Sequence, residues 1–137
     1  MNKLCVFLLF CFATSSWGQI AIYGGEKQDV FLGYLSQSMF AINSIWNDGC
    51  EYGRDQGANS IWNEYGKYGS STSDYSPWNE RANYPPVLKN GSQSLGYFTT
   101  NRYKTPQTKD SFAIDFIRNF NKIKKNKKEW YNSNVKK

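Results

Sequence analysis

"NSIWNDGCEYGRDQGANSIWNEYGKYGSSTSDYSPWNERANYP", residues 43–85, writes Ser-x-Trp-Asn three times at one spacing. Trp46, Trp62 and Trp78 stand 16 residues apart, with Ser44, Ser60 and Ser76 two places before them. Asn47, Asn63 and Asn79 follow each Trp directly, and the acidic residues Asp48, Glu64 and Glu80 come next. Tyr52, Tyr68 and Tyr84 share a further column. Ile45 and Ile61 precede the first two tryptophans, where the third copy has Pro77. This is an internal repeat without insertions, with units at about 43–58, 59–74 and 75–86.

One unit holds too few apolar side chains to fold alone, so neighbouring copies must share a core. The residues between the aromatics are turn formers, and no 3.6-residue period runs through them. The expected fold is mainly β: 16-residue units, each a short extended segment and one or two turns, stacked as a small β-solenoid or as an array of hairpins. Equivalent side chains would then lie above one another at about the ~4.8 Å strand spacing. Pro77 and Pro85-Pro86 mark the last copy as a cap, because proline cannot donate to a strand ladder.

Trp46, Trp62, Trp78, Tyr52 and Tyr84 are expected to form the repeat scaffold. Tyr65, Tyr68 and Tyr75, set among glycines and serines, are the candidates for a ligand surface, together with Asn63 and Asn79. Half-exposed phenols stack on sugars and on apolar protein surfaces while keeping a polar tip in water. The acidic column raises calcium as an alternative, but one carboxylate per copy is short of the clustered oxygens a calcium loop needs. No metal or cofactor is expected.

Outward from the repeat, "PPVLKNGSQSLGYFTTN" over residues 85–101 reads as a hairpin that closes the array. Its strands are Val87-Leu88 and residues 95–99, with Asn90-Gly91 in the turn. The apolar run in residues 30–35 is suited to another strand. From Asp110, Phe112, Phe116, Ile117, Phe120 and Ile123 form a helical stripe, with Thr108 or Asp110 as its cap. The charge is split. Residues 19–101 carry 5 basic and 8 acidic groups, and residues 102–137 carry 11 and 3. A basic amphipathic helix with Lys122, Lys124, Lys125, Lys127 and Lys128 suits an anionic membrane surface or an acidic partner. The other use of that stripe is to dock on the β part while the lysines solvate the end. Trp130, in this tail, is expected to be exposed.

The chain opens "MNKLCVFLLFCFATSSWGQ": Lys3, an apolar run from Leu4 to Ala13, and small residues Ser16 and Gly18 before Gln19. This is the pattern of a secretory signal peptide cleaved near Gly18, and the run is well short of the ~20 residues that span a bilayer. The destination is the exterior, the periplasm or the cell surface, where nucleic acid is not an expected partner. The domain division is thus a leader at 1–18, one repeat-containing β domain at 19–108 and a basic helical tail at 109–137. With the leader removed Cys50 is the sole thiol, so no internal disulfide is available. The chain has no histidine, which removes Ser-His-Asp and Cys-His catalysis and the usual zinc sites. No carboxylate pair stands out for glycosidase chemistry, and an enzyme is not expected.

Residues 59–101, "NSIWNEYGKYGSSTSDYSPWNERANYPPVLKNGSQSLGYFTTN", resemble small exported bacterial proteins with tandem SIWNxYGxYGS units, then SPWNxYA and a hairpin ending in YGYFTxN. "VFLGYLSQ" at residues 30–37 is similar to a segment that in those proteins often carries two cysteines. Tyr34 and Ser36-Gln37 stand in their place here, so a role for such a pair is absent. "NDGCEYGRDQGA" at residues 47–58 is a degraded first copy of the unit. The resemblance implies bacterial origin and export and lends no chemistry, and the lysine-rich tail lies outside it.

These readings lead to two functions. The first is an exported, non-enzymatic module that binds a polysaccharide or an envelope protein through aromatic and Asn repeat positions. The second is a structural or self-assembling envelope protein whose basic tail binds a membrane surface. Oligomeric state is not legible.

Overall fold

The protein's structure, a computed structural model, describes residues 19–35 and 38–135. The expected leader and the Ser36-Gln37 position lie outside the described residues. Four strands, β1 (Ile20–Gly24), β2 (Val30–Tyr34), β3 (Val87–Asn90) and β4 (Gln93–Tyr97), are followed by helices α1 (Ser111–Lys125) and α2 (Lys127–Asn134). The strands form one open antiparallel sheet in the order β2-β1-β3-β4.

The hairpin expected after the repeat is β3–β4. Asn90 pairs with Gln93, and Gly91 takes the positive φ of 60° that the tight turn requires. The strand expected in residues 30–35 is β2, but it reaches the hairpin only through β1. β1 is too short to announce itself in the sequence. It is held centrally because Ile22 of β1, Leu32 of β2 and Leu88 of β3 are all fully buried on one side of the sheet.

The strands lie outside the repeat. Among the described residues, the segment between β2 and β3 holds no strand, only one isolated parallel bridge between Tyr34 and Ser44. Its backbone closes turns instead of ladders. Ser44 N–H donates to Ala41 O, Asn47 to Ser44, Cys50 to Asn47, Arg54 to Cys50, Gly57 to Arg54 and Ser60 to Gly57. The same bonds continue from Ser60 through Asn63, Gly66, Ser70 and Ser73 to Ser76, in steps of 3, 3, 4, 3 and 3 residues per 16-residue period. The extended Ser-Ile-Trp-Asn segments expected of stacked strands are therefore turns. The physical reason is donor use: an N–H bonded three residues back is not free to pair with a neighbouring strand.

Side chains lock these turns. Each Ser hydroxyl accepts from the Trp N–H two residues on: Ser44 from Trp46 at 3.2 Å, Ser60 from Trp62 at 3.1 Å and Ser76 from Trp78 at 3.1 Å. Each Asn amide donates six residues back, Asn47 to Ala41 O, Asn63 to Gly57 O and Asn79 to Ser73 O. Such local bonds are what make Ser and Asn turn residues. Cys50 is half-buried, and its thiol lies 3.3 Å from Ser44 O as a weak donor.

The tryptophans face the helices. Trp46, Trp62 and Trp78 are 1 %, 1 % and 8 % exposed. Trp78 stacks on Phe120 at 3.5 Å between ring centres, and Trp62 and Phe120 are 5.7 Å apart. Phe116 meets Trp46 at 5.4 Å and Phe98 at 5.8 Å. The tail's apolar stripe is thus docked, with Ala113, Phe116, Phe120 and Ile123 buried, and is not left over to lie on a membrane. Burying Phe116, Phe120 and Ile123 contributes about 1.5–3 kcal/mol each, several times what exposed ion pairs add. Asp110 caps α1 by accepting from Ala113 N–H at 2.9 Å, as one of the two candidate caps. Asn126 ends α1 and caps α2. Trp130, expected to be exposed, is half-buried and lies parallel to Trp46 at 5.6 Å. The α1–α2 break turns its ring back onto the first Trp of the repeat.

Candidate functional site

The Tyr column separates from the Trp column. Tyr68 is 5 % exposed and fills space beside Gly24, where an added methyl would meet its ring at 3.1 Å. Tyr68 therefore belongs to the scaffold and is lost as a ligand contact. Tyr75 lies 6.4 Å from Tyr68 and stacks on Tyr84 at 5.4 Å, with 26° between the ring planes. Tyr75 is half-buried and Tyr84 is 40 % exposed, so this pair is partly open to solvent.

Charge rims the pair. Lys67 Nζ sits 4.1 Å from the Tyr75 ring centre, a cation–π distance. The Tyr75 hydroxyl donates to Glu26 Oε1 at 3.0 Å. That bond, then burial and the charge of Glu26, raises the Tyr75 phenol above the usual tyrosine range. Neither Lys67 nor Glu26 is held in an ion pair among the described residues.

Of the remaining candidates, Tyr65 is 92 % exposed and makes no ring contact among the described residues. Asn63 and Asn79 are not brought to the tyrosines as free donors. Their amides bond to Gly57 O and Ser73 O, each at 3.0 Å. Their oxygens accept from Tyr65 N–H and Arg81 N–H. Each side chain already makes one bond through its amide and one through its oxygen, because the same geometry that makes Asn a turn residue uses its hydrogen bonds.

A second aromatic group was not legible in the sequence. Phe31 lies 5.7 Å from Tyr23, 4.9 Å from Tyr34 and 4.9 Å from Tyr52, all four half-buried. Lys89 stands 4.8 Å from the Tyr23 ring centre. Tyr23 and Phe31 are cross-strand partners in β1 and β2, so recognising β1 would have exposed the group. Tyr52, a scaffold candidate, is the repeat's contribution to it. Burial comes first among the causes that raise its phenol, followed by the charge of Glu51.

The acidic column has partners in the tail. Lys124 Nζ lies 2.6 Å from Glu64, and Lys127 Nζ lies 2.5 Å from Asp48 and 3.7 Å from Asp55. Lys127 also donates to Gly53 O at 2.5 Å and covers the Trp62 ring at 4.9 Å. The third acid, Glu80, instead faces a cleft of about 620 Å³ between α1 and residues 97–108, with Arg102 and Arg118 on its walls. Two of the acids are thus matched by lysines rather than poised for a cation.

Comparison of the chain with protein-family models, with curated proteins and with solved structures finds no match in any of the three.

Proposed function

We propose that the protein is an exported, non-enzymatic binding module that holds a polysaccharide on the stacked face of Tyr75 and Tyr84. The observation that carries this reading is the pair itself: two stacked, partly exposed rings with the Lys67 ammonium over the Tyr75 ring and the Glu26 carboxylate at its hydroxyl. A sugar ring offers apolar C–H faces to an aromatic platform and hydroxyls to the flanking charges. In this reading the 16-residue units serve as a stacked scaffold, with the Trp column directed at the helices and Tyr75 and Tyr84 at the ligand side.

The test is retention of the mature protein on immobilised peptidoglycan and on an insoluble glucan. Tyr84→Ala and Tyr75→Ala weaken retention about two- to tenfold, the loss of one stacking contact, with the circular-dichroism spectrum unchanged. Tyr65→Ala does not. Parent-like retention of both Tyr75→Ala and Tyr84→Ala, or no retention of the parent on either matrix, overturns the reading.

A further inference from the structure

Residues 38–43 link β2 to the first repeat unit and hold two large apolar side chains in solvent: Phe40 is 85 % exposed and Ile42 is 81 % exposed. Single exposed apolar residues are ordinary, but two that flank one residue of a fixed loop are a small patch. The loop is tied down at both ends. Met39 N–H donates to the Tyr131 hydroxyl at 2.8 Å, and Tyr34 N–H donates to Asn43 O at 2.8 Å. In between, Ala41 O accepts from Ser44 N–H and from the Asn47 amide, while Asn43 takes a positive φ of 63°. Phe40 and Ile42 are therefore presented by an anchored turn.

The Tyr131 contact places this turn against α2, where Lys128 is exposed one helical turn from Tyr131. Lys125, also exposed, ends α1 just before the Asn126 break. The tail lysines divide by direction. Lys124 and Lys127 are spent on Glu64 and Asp48. Lys122, Lys125 and Lys128 make no ion pair among the described residues. The carboxylate facing this end from α2, Glu129, is engaged with the side chain of Asn126. Asn126 is neutral and leaves Glu129 charged, so Lys125 and Lys128 set against that one carboxylate still leave this end net positive, beside two apolar tips.

We propose that the Phe40–Ile42 turn and the outward lysines Lys125 and Lys128 dock the protein on an anionic lipid surface. The two side chains enter the headgroup region and the ammonium groups stay at the phosphate level, the division of labour by which interfacial anchors hold. This anchor differs from a tail helix lying in the interface, since the apolar stripe of α1 is occupied by the repeat tryptophans. It is also independent of saccharide binding by Tyr75 and Tyr84. A protein surface, including a second copy of the chain, would suit the apolar tips alone. The net positive charge of Lys125 and Lys128 over Glu129 favours an anionic lipid surface.

The experiment is co-sedimentation of the mature protein with large vesicles of phosphatidylcholine, with and without phosphatidylglycerol, at low and high salt. Binding is expected only with phosphatidylglycerol and falls as salt screens the lysines. Phe40→Ser/Ile42→Ser lowers the bound fraction at least about tenfold. Each of Lys125→Gln and Lys128→Gln lowers it about fivefold. All four side chains are exposed, so the fold is kept, and circular dichroism verifies it. Equal binding of the Phe40→Ser/Ile42→Ser protein, or binding indifferent to phosphatidylglycerol, overturns the proposal. So does an absence of vesicle binding together with a concentration-dependent dimer that Phe40→Ser/Ile42→Ser dissociates, which would assign the turn to a second copy.

Discussion

The indole N–H of Trp78 donates to the carbonyl oxygen of Ile61 at 2.7 Å, 17 residues back in the chain. Trp62 makes the equivalent bond to Ile45 O at 2.6 Å. Trp46 has no earlier copy to reach, and its buried Nε1 has no acceptor among the described residues. Each tryptophan after the first thus stitches its unit to the one before. Trp62→Phe and Trp78→Phe each lose a hydrogen bond and strand a buried carbonyl, whereas Trp46→Phe removes an unpaired donor. In urea unfolding, Trp46→Phe should cost about 1–3 kcal/mol less than either of the others. Equal losses at all three positions would show that ring volume alone matters.

Gly53 and Gly69 make the turns possible. A methyl at Gly53 would lie 2.0 Å from Asn47 O, and one at Gly69 2.2 Å from Asn63 O. Backbone cannot step aside as a side chain can. Gly53→Ala and Gly69→Ala are expected to cost about 4 kcal/mol or more. Gly91→Ala, in the β3–β4 turn with nothing within 4 Å, pays only for its left-handed backbone, about 1 kcal/mol. Thermal unfolding of the three variants orders them.

Lys127 is the better-placed of the two tail clamps. Its side chain is 15 % exposed, against 34 % for Lys124, and it serves a carboxylate, a carbonyl and the Trp62 ring together. Lys127→Met should lower stability by about 1–2 kcal/mol, and Lys124→Met by no more than about 0.5 kcal/mol. Raising the salt concentration should erase the second effect and leave most of the first. A Lys127→Met protein as stable as the parent at low salt would remove the clamp from the account.

The Tyr75–Glu26 bond has an alkaline signature. A phenol whose folded-state value lies above its unfolded one keeps its proton longer when folded. Its stabilising contribution is complete below the ordinary tyrosine range and is lost as the pH climbs through that range to the raised value. Subtracting the tyrosinate absorbance titration of Tyr75→Phe from that of the parent isolates Tyr75. Glu26→Ala should move that component to lower pH. An unmoved component would mean that the bond does not form in solution.

Much of the architecture was legible where its cause is local. The Asn90-Gly91 turn signalled the hairpin, the Phe stripe and Asp110 signalled α1, and the period signalled that the tryptophans act as a set. β1 was missed because five residues carry too little pattern; its position between β2 and β3 comes from pairing partners distant in the chain. The stacked strands expected of the repeat gave way to turns for a local reason. Ser and Asn side chains favour closed turns, and the run of backbone bonds three or four residues back shows that turns prevail along the segment.

The candidate site divides the same way. Tyr75 was singled out by the glycines and serines around it, and it is half-buried against Tyr84. Tyr68, in the same setting, is buried because Gly24, distant in sequence, leaves room for its ring. Asn63 and Asn79 looked available because a sequence lists donors without saying which are taken.

By itself, the sequence determined the things that depend on neighbours along the chain: the 16-residue period, the turn chemistry, the hairpin, the capped helix and the division of charge. Only the tertiary structure decided which way each periodic side chain points and what it meets. That is why the acidic column is matched by Lys124 and Lys127, the tail stripe is covered by tryptophans, and Phe40 and Ile42 are left bare. Burial and pairing are properties of surfaces brought together across the chain, and their free energy appears only when those surfaces meet.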